Sequence, residues 1–115
     1  LRLFNWFKTD TEIKRDEYWK LYERLQDAKN DHDRIVRDAE SAYSSYRNAV
    51  PFLSENVIPS NDFTPARRRL NDDFNQYLND EKAKRTDLVR AINRAYDQYL
   101  HYRNQAIREE QEAKK

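Results

Sequence analysis

The chain has 115 residues, 37% apolar and 37% charged, and its 22 basic and 21 acidic side chains leave a net charge of +1. It contains no glycine and no cysteine. Those absences exclude glycine-loop nucleotide sites, disulfides, thiolate metal sites and cysteine nucleophiles. They speak against a β-rich or α/β domain, whose turns need glycine, and the balanced charge speaks against a nucleic-acid partner.

A chain of this size holds one domain at most. Few apolar and many charged residues fit either disorder or long, thin helices, and periodicity decides between them. With no methionine, even at position 1, the chain is expected to be an excised or processed piece, so a targeting or membrane segment outside it stays open. No apolar run approaches the roughly 20 residues that span a bilayer. Compartment is not readable.

Residues 1–8 form an apolar, aromatic N-terminal segment, with Leu1, Leu3, Phe4, Trp6 and Phe7 beside Arg2 and Lys8. Thr9-Asp10-Thr11-Glu12 reads as a capping box, in which the Thr9 hydroxyl and the Glu12 carboxylate satisfy each other's backbone amides. It opens helix A, expected over about 10–49. Residues 50–64 carry Pro51, Pro59 and several Ser, Asn and Asp residues and are expected to be a loop. Thr64-Pro65 reads as an N-cap followed by proline at the first helical position, opening helix B over about 65–113.

Each helix carries a heptad seam. In helix A it runs Tyr18, Leu21, Leu25, Ala28, His32, Ile35, Ala39, Ala42, Tyr46 and Ala49. In helix B it runs Phe74, Leu78, Glu81, Arg85, Leu88, Ile92, Ala95, Tyr99, Tyr102 and Ala106. Sustained alternation of three and four argues coiled coil. Folding the chain back within the proline-containing segment sets Ala42 against Phe74, Ala39 against Leu78, Ala28 against Leu88 and Leu21 against Ala95, large against small. Leu25 then meets Ile92, and Tyr18 meets Tyr99. The expected fold is an all-α, long antiparallel two-helix hairpin, a coiled coil able to dimerise into a four-helix bundle.

The same register sets His32 opposite Arg85 and Ile35 opposite Glu81, a polar layer of His32, Glu81 and Arg85 in an apolar seam. It reads either as a register-fixing layer, with Glu81 satisfying Arg85 or His32, or as a pH-sensitive switch or buried site. Neither His32 nor His101 has a metal-ligand pattern around it, and no nucleophile motif appears. No catalytic, cofactor or metal site is expected, and the chain is not expected to be an enzyme. Arg67-Arg68-Arg69 reads as a solvated cluster paired with Asp62, Asp72 and Asp73, or as a contact for phosphate or an acidic partner.

The flanks of the seam point to an apolar interaction edge of Trp19, Tyr22, Val36, Tyr43, Val89, Tyr96 and Leu100, widened by Ile107. The N-terminal group Leu3, Phe4, Trp6 and Phe7 has three readings. It folds back over Trp19, Tyr22, Tyr96 and Leu100, it packs on a partner, or it anchors the chain in a membrane interface. The leading expectation for function is a protein–protein interaction and assembly module, either a homodimer or a hairpin docked on a helical partner. A membrane-associated structural or membrane-shaping element is the second reading.

In size and hairpin plan the chain also resembles the small WXG100-type proteins of bacterial type VII secretion. Tyr77-Leu78-Asn79-Asp80-Glu81 matches the Tyr-x-x-x-Asp/Glu pattern, here in mid-helix, and no Trp-x-Gly stands at the turn. The resemblance implies a helical-hairpin secretion partner and carries over no residue roles.

Overall fold

The structure is a computed structural model that describes residues 7–49 and 60–115, without the side chains of 60–63. Two helices make up the described chain, α1 (Asp10–Ala49) and α2 (Ser60–Ala113). They pack antiparallel as a two-helix hairpin.

Local chemistry sets where α1 begins. The Glu12 amide donates to the Thr9 hydroxyl and the Thr9 amide donates to the Glu12 carboxylate, each at 3.1 Å. The Ile13 amide then closes the first helical bond to the Thr9 carbonyl at 2.9 Å. Two of the amides a helix N-terminus leaves orphaned are thus satisfied, and Asp10 and Glu12 place negative charge at the positive end of the helix.

Helix α2 starts earlier than the Thr64-Pro65 pair predicts. It begins at Ser60, so Pro65 lies inside the helix and Thr64 is a helical residue rather than its cap. The proline ring removes one backbone donor, the amide that would reach the Asn61 carbonyl. That single loss near the helix start is compatible with a helix that continues on either side. The rest of the expected loop, residues 50–59, lies outside the described residues.

Contacts divide the chain into two compact units, Leu1–Lys29 with Asp87–Lys115 and Asn30–Thr86. In the first, the terminal unit, the Thr11 hydroxyl lies 2.8 Å from both oxygens of Glu109, to which it donates. Tyr18 stacks on Tyr102 with centroids 5.7 Å apart, and Lys14 Nζ sits 5.5 Å from the centre of the same Tyr102 ring. Trp19, Tyr22, Tyr96 and Tyr99 form a closed cluster of four rings, each 4.9–6.1 Å from the next. Ile92 and Ala95, 6% and 2% exposed, are the only buried apolar residues among those described.

In the second, inner unit, Tyr43 stacks on Phe74 with ring centroids 4.0 Å apart and an interplanar angle of 13°. Its hydroxyl donates to the Asn71 side-chain oxygen.

In α2 the half-buried and buried positions include Phe74, Leu78, Glu81, Leu88, Ile92, Ala95, Tyr99, Tyr102 and Ala106, the seam its heptads predict; Arg85 alone of that row is exposed. In α1 the seam differs. The covered positions run Tyr18, Tyr22, Leu25, Lys29, His32, Val36, Ala39, Tyr43 and Tyr46. The expected Leu21, Ala28, Ile35 and Ala42 are exposed instead, Leu21 to 44% and Ile35 to 54%. At 3.6 residues per turn this is a rotation of α1 by roughly 50° about its axis. The cause is the size of the two competing rows. Turning Tyr22, Val36 and Tyr43 inward covers two rings of about 150–250 Å² each, whereas the alternative row offers two alanines with Leu21 and Ile35.

Candidate interaction surfaces

The polar layer lies in the inner unit, and of the two expected partners of Glu81, Arg85 and His32, it is His32 that reaches it. His32 faces Glu81 rather than Arg85, with Nε2 2.5 Å from Oε2. Both side chains are largely buried. A carboxylate only accepts, so the imidazole presents Nε2–H to it. Nδ1 is buried without a hydrogen-bond partner and lies 3.8 Å from Asp33 Oδ1. Arg85 reaches past the seam and donates from Nε to Asp33 at 2.9 Å. Its guanidinium sits at the surface because its long stem can leave a thin core. The Lys84 ammonium bonds the other oxygen of Glu81 at 3.0 Å. That contact, with the smaller help of His32, holds the Glu81 carboxyl below its usual range against the opposing cost of burial.

A second charged cluster closes the terminal unit near the start of α1. Asp16 accepts from Arg15 Nε at 2.9 Å and from the Lys8 ammonium at 2.5 Å. The Arg15 bond, then the Lys8 bond, keep the Asp16 carboxyl low. Beside it Phe7, 75% exposed, and Lys8 line a shallow pocket with Ala106, Ile107 and Ala113. Leu3, Phe4 and Trp6 lie outside the described residues.

The residues of the expected apolar edge divide into two sets. Tyr22, Val36 and Tyr43 are half-buried seam residues, each brought inward by the rotation of α1. Val89 and Leu100 are also half-buried. Trp19 and Tyr96 stay exposed while contributing to the four-ring cluster.

The surface that sequence periodicity assigned to the core is the one left open. In the terminal unit, Leu21, Leu25, Ala91 and Ala95 floor a groove of about 650 Å³, flanked by Arg90 and Arg94. In the inner unit, Ile35 and Leu70 are exposed apolar groups. Arg67, Arg68 and Arg69 are exposed and make no ion pair with Asp72 or Asp73, contrary to the expected pairing.

Among the described residues no group of His, Asp and Glu side chains could hold a metal ion, and no helix is long and apolar enough to cross a membrane. The open features are an apolar helix row, an aromatic cluster and charged flanks.

No curated protein and no solved structure matches the chain. A family model does, that of the Staphylococcus aureus type VII secretion system substrate EsxC, over residues 6–106. The matched stretch takes in all of α1 and most of α2, and on that extent the chain belongs to the EsxC family.

Proposed function

We propose that the protein is a small non-enzymatic substrate of a type VII-like secretion system, and that its hairpin docks a helical partner. The observation that carries the reading is the family match across both helices. Family membership also makes the chain a non-catalytic protein. The surface supports the docking part of the proposal. A hairpin whose described residues include only two buried apolar side chains, with Leu21, Ile35 and Leu70 exposed, has apolar rows still to cover.

The test is export. An epitope-tagged chain is expressed in a bacterium with an intact type VII secretion system and in the same strain with that system deleted. The tagged chain is expected in the medium of the first strain and only in the cells of the second. Equal release from both strains, or retention in both, would overturn the reading.

A further inference from the structure

Helix α2 starts at Ser60, and the first of its described side chains to be covered is Asn71. Residues 64–70 are exposed without exception, Leu70 to 44%. They make about two turns of helix, so the stretch has no covered side. Asn71 is half-buried and accepts from the Tyr43 hydroxyl. Phe74, Tyr77 and Leu78 continue the covered row.

Little else holds these turns. Residues 64–70 take part in no side-chain hydrogen bond or ion pair among the described residues. Arg68 and Arg69 stand four residues before Asp72 and Asp73, the spacing of a helical ion pair, and the pairs do not form. Pro65 withholds the amide that would bond the Asn61 carbonyl. The exposed run 82–86 of the same unit is tied instead. Lys84 bonds Glu81 at 3.0 Å, Arg85 bonds Asp33 at 2.9 Å, and the Thr86 hydroxyl donates to the Lys82 carbonyl at 3.1 Å. Unwinding residues 64–70 gives up helical backbone bonds and no covered side chain, which puts the stretch at the low end of local stability.

That stretch carries Arg67, Arg68 and Arg69 in succession. An endoprotease grips its substrate as an extended strand, so a helix must open before it is cut. One that cuts after arginine holds the side chain in a pocket with an acidic floor. We propose that Arg67, Arg68 and Arg69 form a cleavage site for an arginine-directed endoprotease, reached by local unwinding of the start of α2. Water adds across the peptide bond after the arginine. The carbonyl carbon–nitrogen bond breaks, the water oxygen goes to the new carboxylate, and the new amine takes a proton. The Tyr43–Phe74 and His32–Glu81 contacts bridge the two fragments, so the nicked hairpin stays paired. The site depends neither on export nor on what the hairpin docks.

Brief digestion of the full chain with a trace of trypsin, read by fragment mass, tests the site. Of the 22 Lys and Arg residues, the first internal cut is expected after Arg67, Arg68 or Arg69, with both fragments co-eluting in size exclusion. Replacing all three with Gln should slow the first internal cut by on the order of tenfold, because the remaining sites lie in better-held helix.

Two further variants separate local unwinding from global unfolding. Pro65→Ala keeps the arginines and restores the missing helical bond, so cleavage at them should slow about tenfold. Ile92→Ala weakens the hairpin core and leaves the start of α2 as it is, so that rate should stay within about twofold. A first internal cut after Arg47 or Arg85 would overturn the proposal. So would a Pro65→Ala chain cut as fast as the parent, or an Ile92→Ala chain cut about tenfold faster.

Discussion

Tyr43 separates the two ways of turning α1. If the helix presented Leu21 and Ile35 to α2, Tyr43 would sit on a free edge, and its removal would change stability by no more than about 0.5 kcal/mol. In the structure it stacks on Phe74 at 4.0 Å and donates to Asn71. The stacked pair contributes about 0.5–1.5 kcal/mol beyond its area, and the hydrogen bond about 1 kcal/mol. Full truncation of a core aromatic costs about 3–5 kcal/mol. Tyr43 is only half-buried, so Tyr43→Ala is expected to cost roughly 2–3 kcal/mol, on the order of 10 °C in Tm. Tyr43→Phe keeps the stack and should lose only about 1 kcal/mol. Urea unfolding followed by far-ultraviolet circular dichroism, repeated at several protein concentrations, measures both. A loss below about 0.5 kcal/mol for Tyr43→Ala would refute the rotated seam.

Ile92→Ala removes one of the two buried apolar side chains among the described residues and is expected to cost about 2–4 kcal/mol in the same unfolding assay. Thr9→Ala deletes the hydroxyl that accepts from the Glu12 amide and should cost about 1 kcal/mol, whereas Thr9→Ser should cost a few tenths at most. The Glu81 carboxyl is held below its ordinary pKa in the folded chain. Its contribution to stability is therefore present above that value and lost as the pH falls through the lower folded one. Glu81→Gln should flatten the acid limb of a stability–pH curve, and an unchanged limb would show that the Lys84 and His32 contacts do not stabilise the folded carboxylate.

The helices themselves were legible because their signals are local. The capping box needs four consecutive residues, and its two hydrogen bonds form as the sequence implies. The α2 seam was legible because one apolar row there clearly exceeds its neighbours. The α1 seam was not, since Tyr18, Leu25, His32, Ala39 and Tyr46 alternate at heptad spacing equally well with the Leu21 row or with the Tyr22 row. Periodicity cannot choose between two rows that satisfy the same spacing. The choice is made by ring packing on Tyr96 and Phe74, which lies beyond any property of α1 alone. Within the polar layer the heptad register leaves Glu81 to satisfy either Arg85 or His32, and packing makes the choice. Register placed His32 opposite Arg85, but Glu81 is the group that can accept from a buried imidazole N–H, and the Arg85 stem is long enough to take its charge to Asp33.

The same surplus of apolar rows that hid the seam bears on function. Three adjacent rows of α1 carry apolar or aromatic side chains, and a single partner helix can face only two of them. Whichever pair packs on α2, a third is left in water. Packing selects the aromatic row and leaves the smaller one, in which Leu21 and Ile35 alternate with Ala28 and Ala42. Small residues at heptad spacing between larger ones suit close approach of another helix better than they suit solvent. A hairpin meant to stand alone would place Lys or Glu at Leu21 and Ile35. Replacing both with Glu is thus expected to leave the Tyr43–Phe74 and Tyr22–Tyr96 contacts, and the helix content seen by circular dichroism, unchanged. Loss of helix content on that substitution would mean that the Leu21 row belongs to the hairpin core after all.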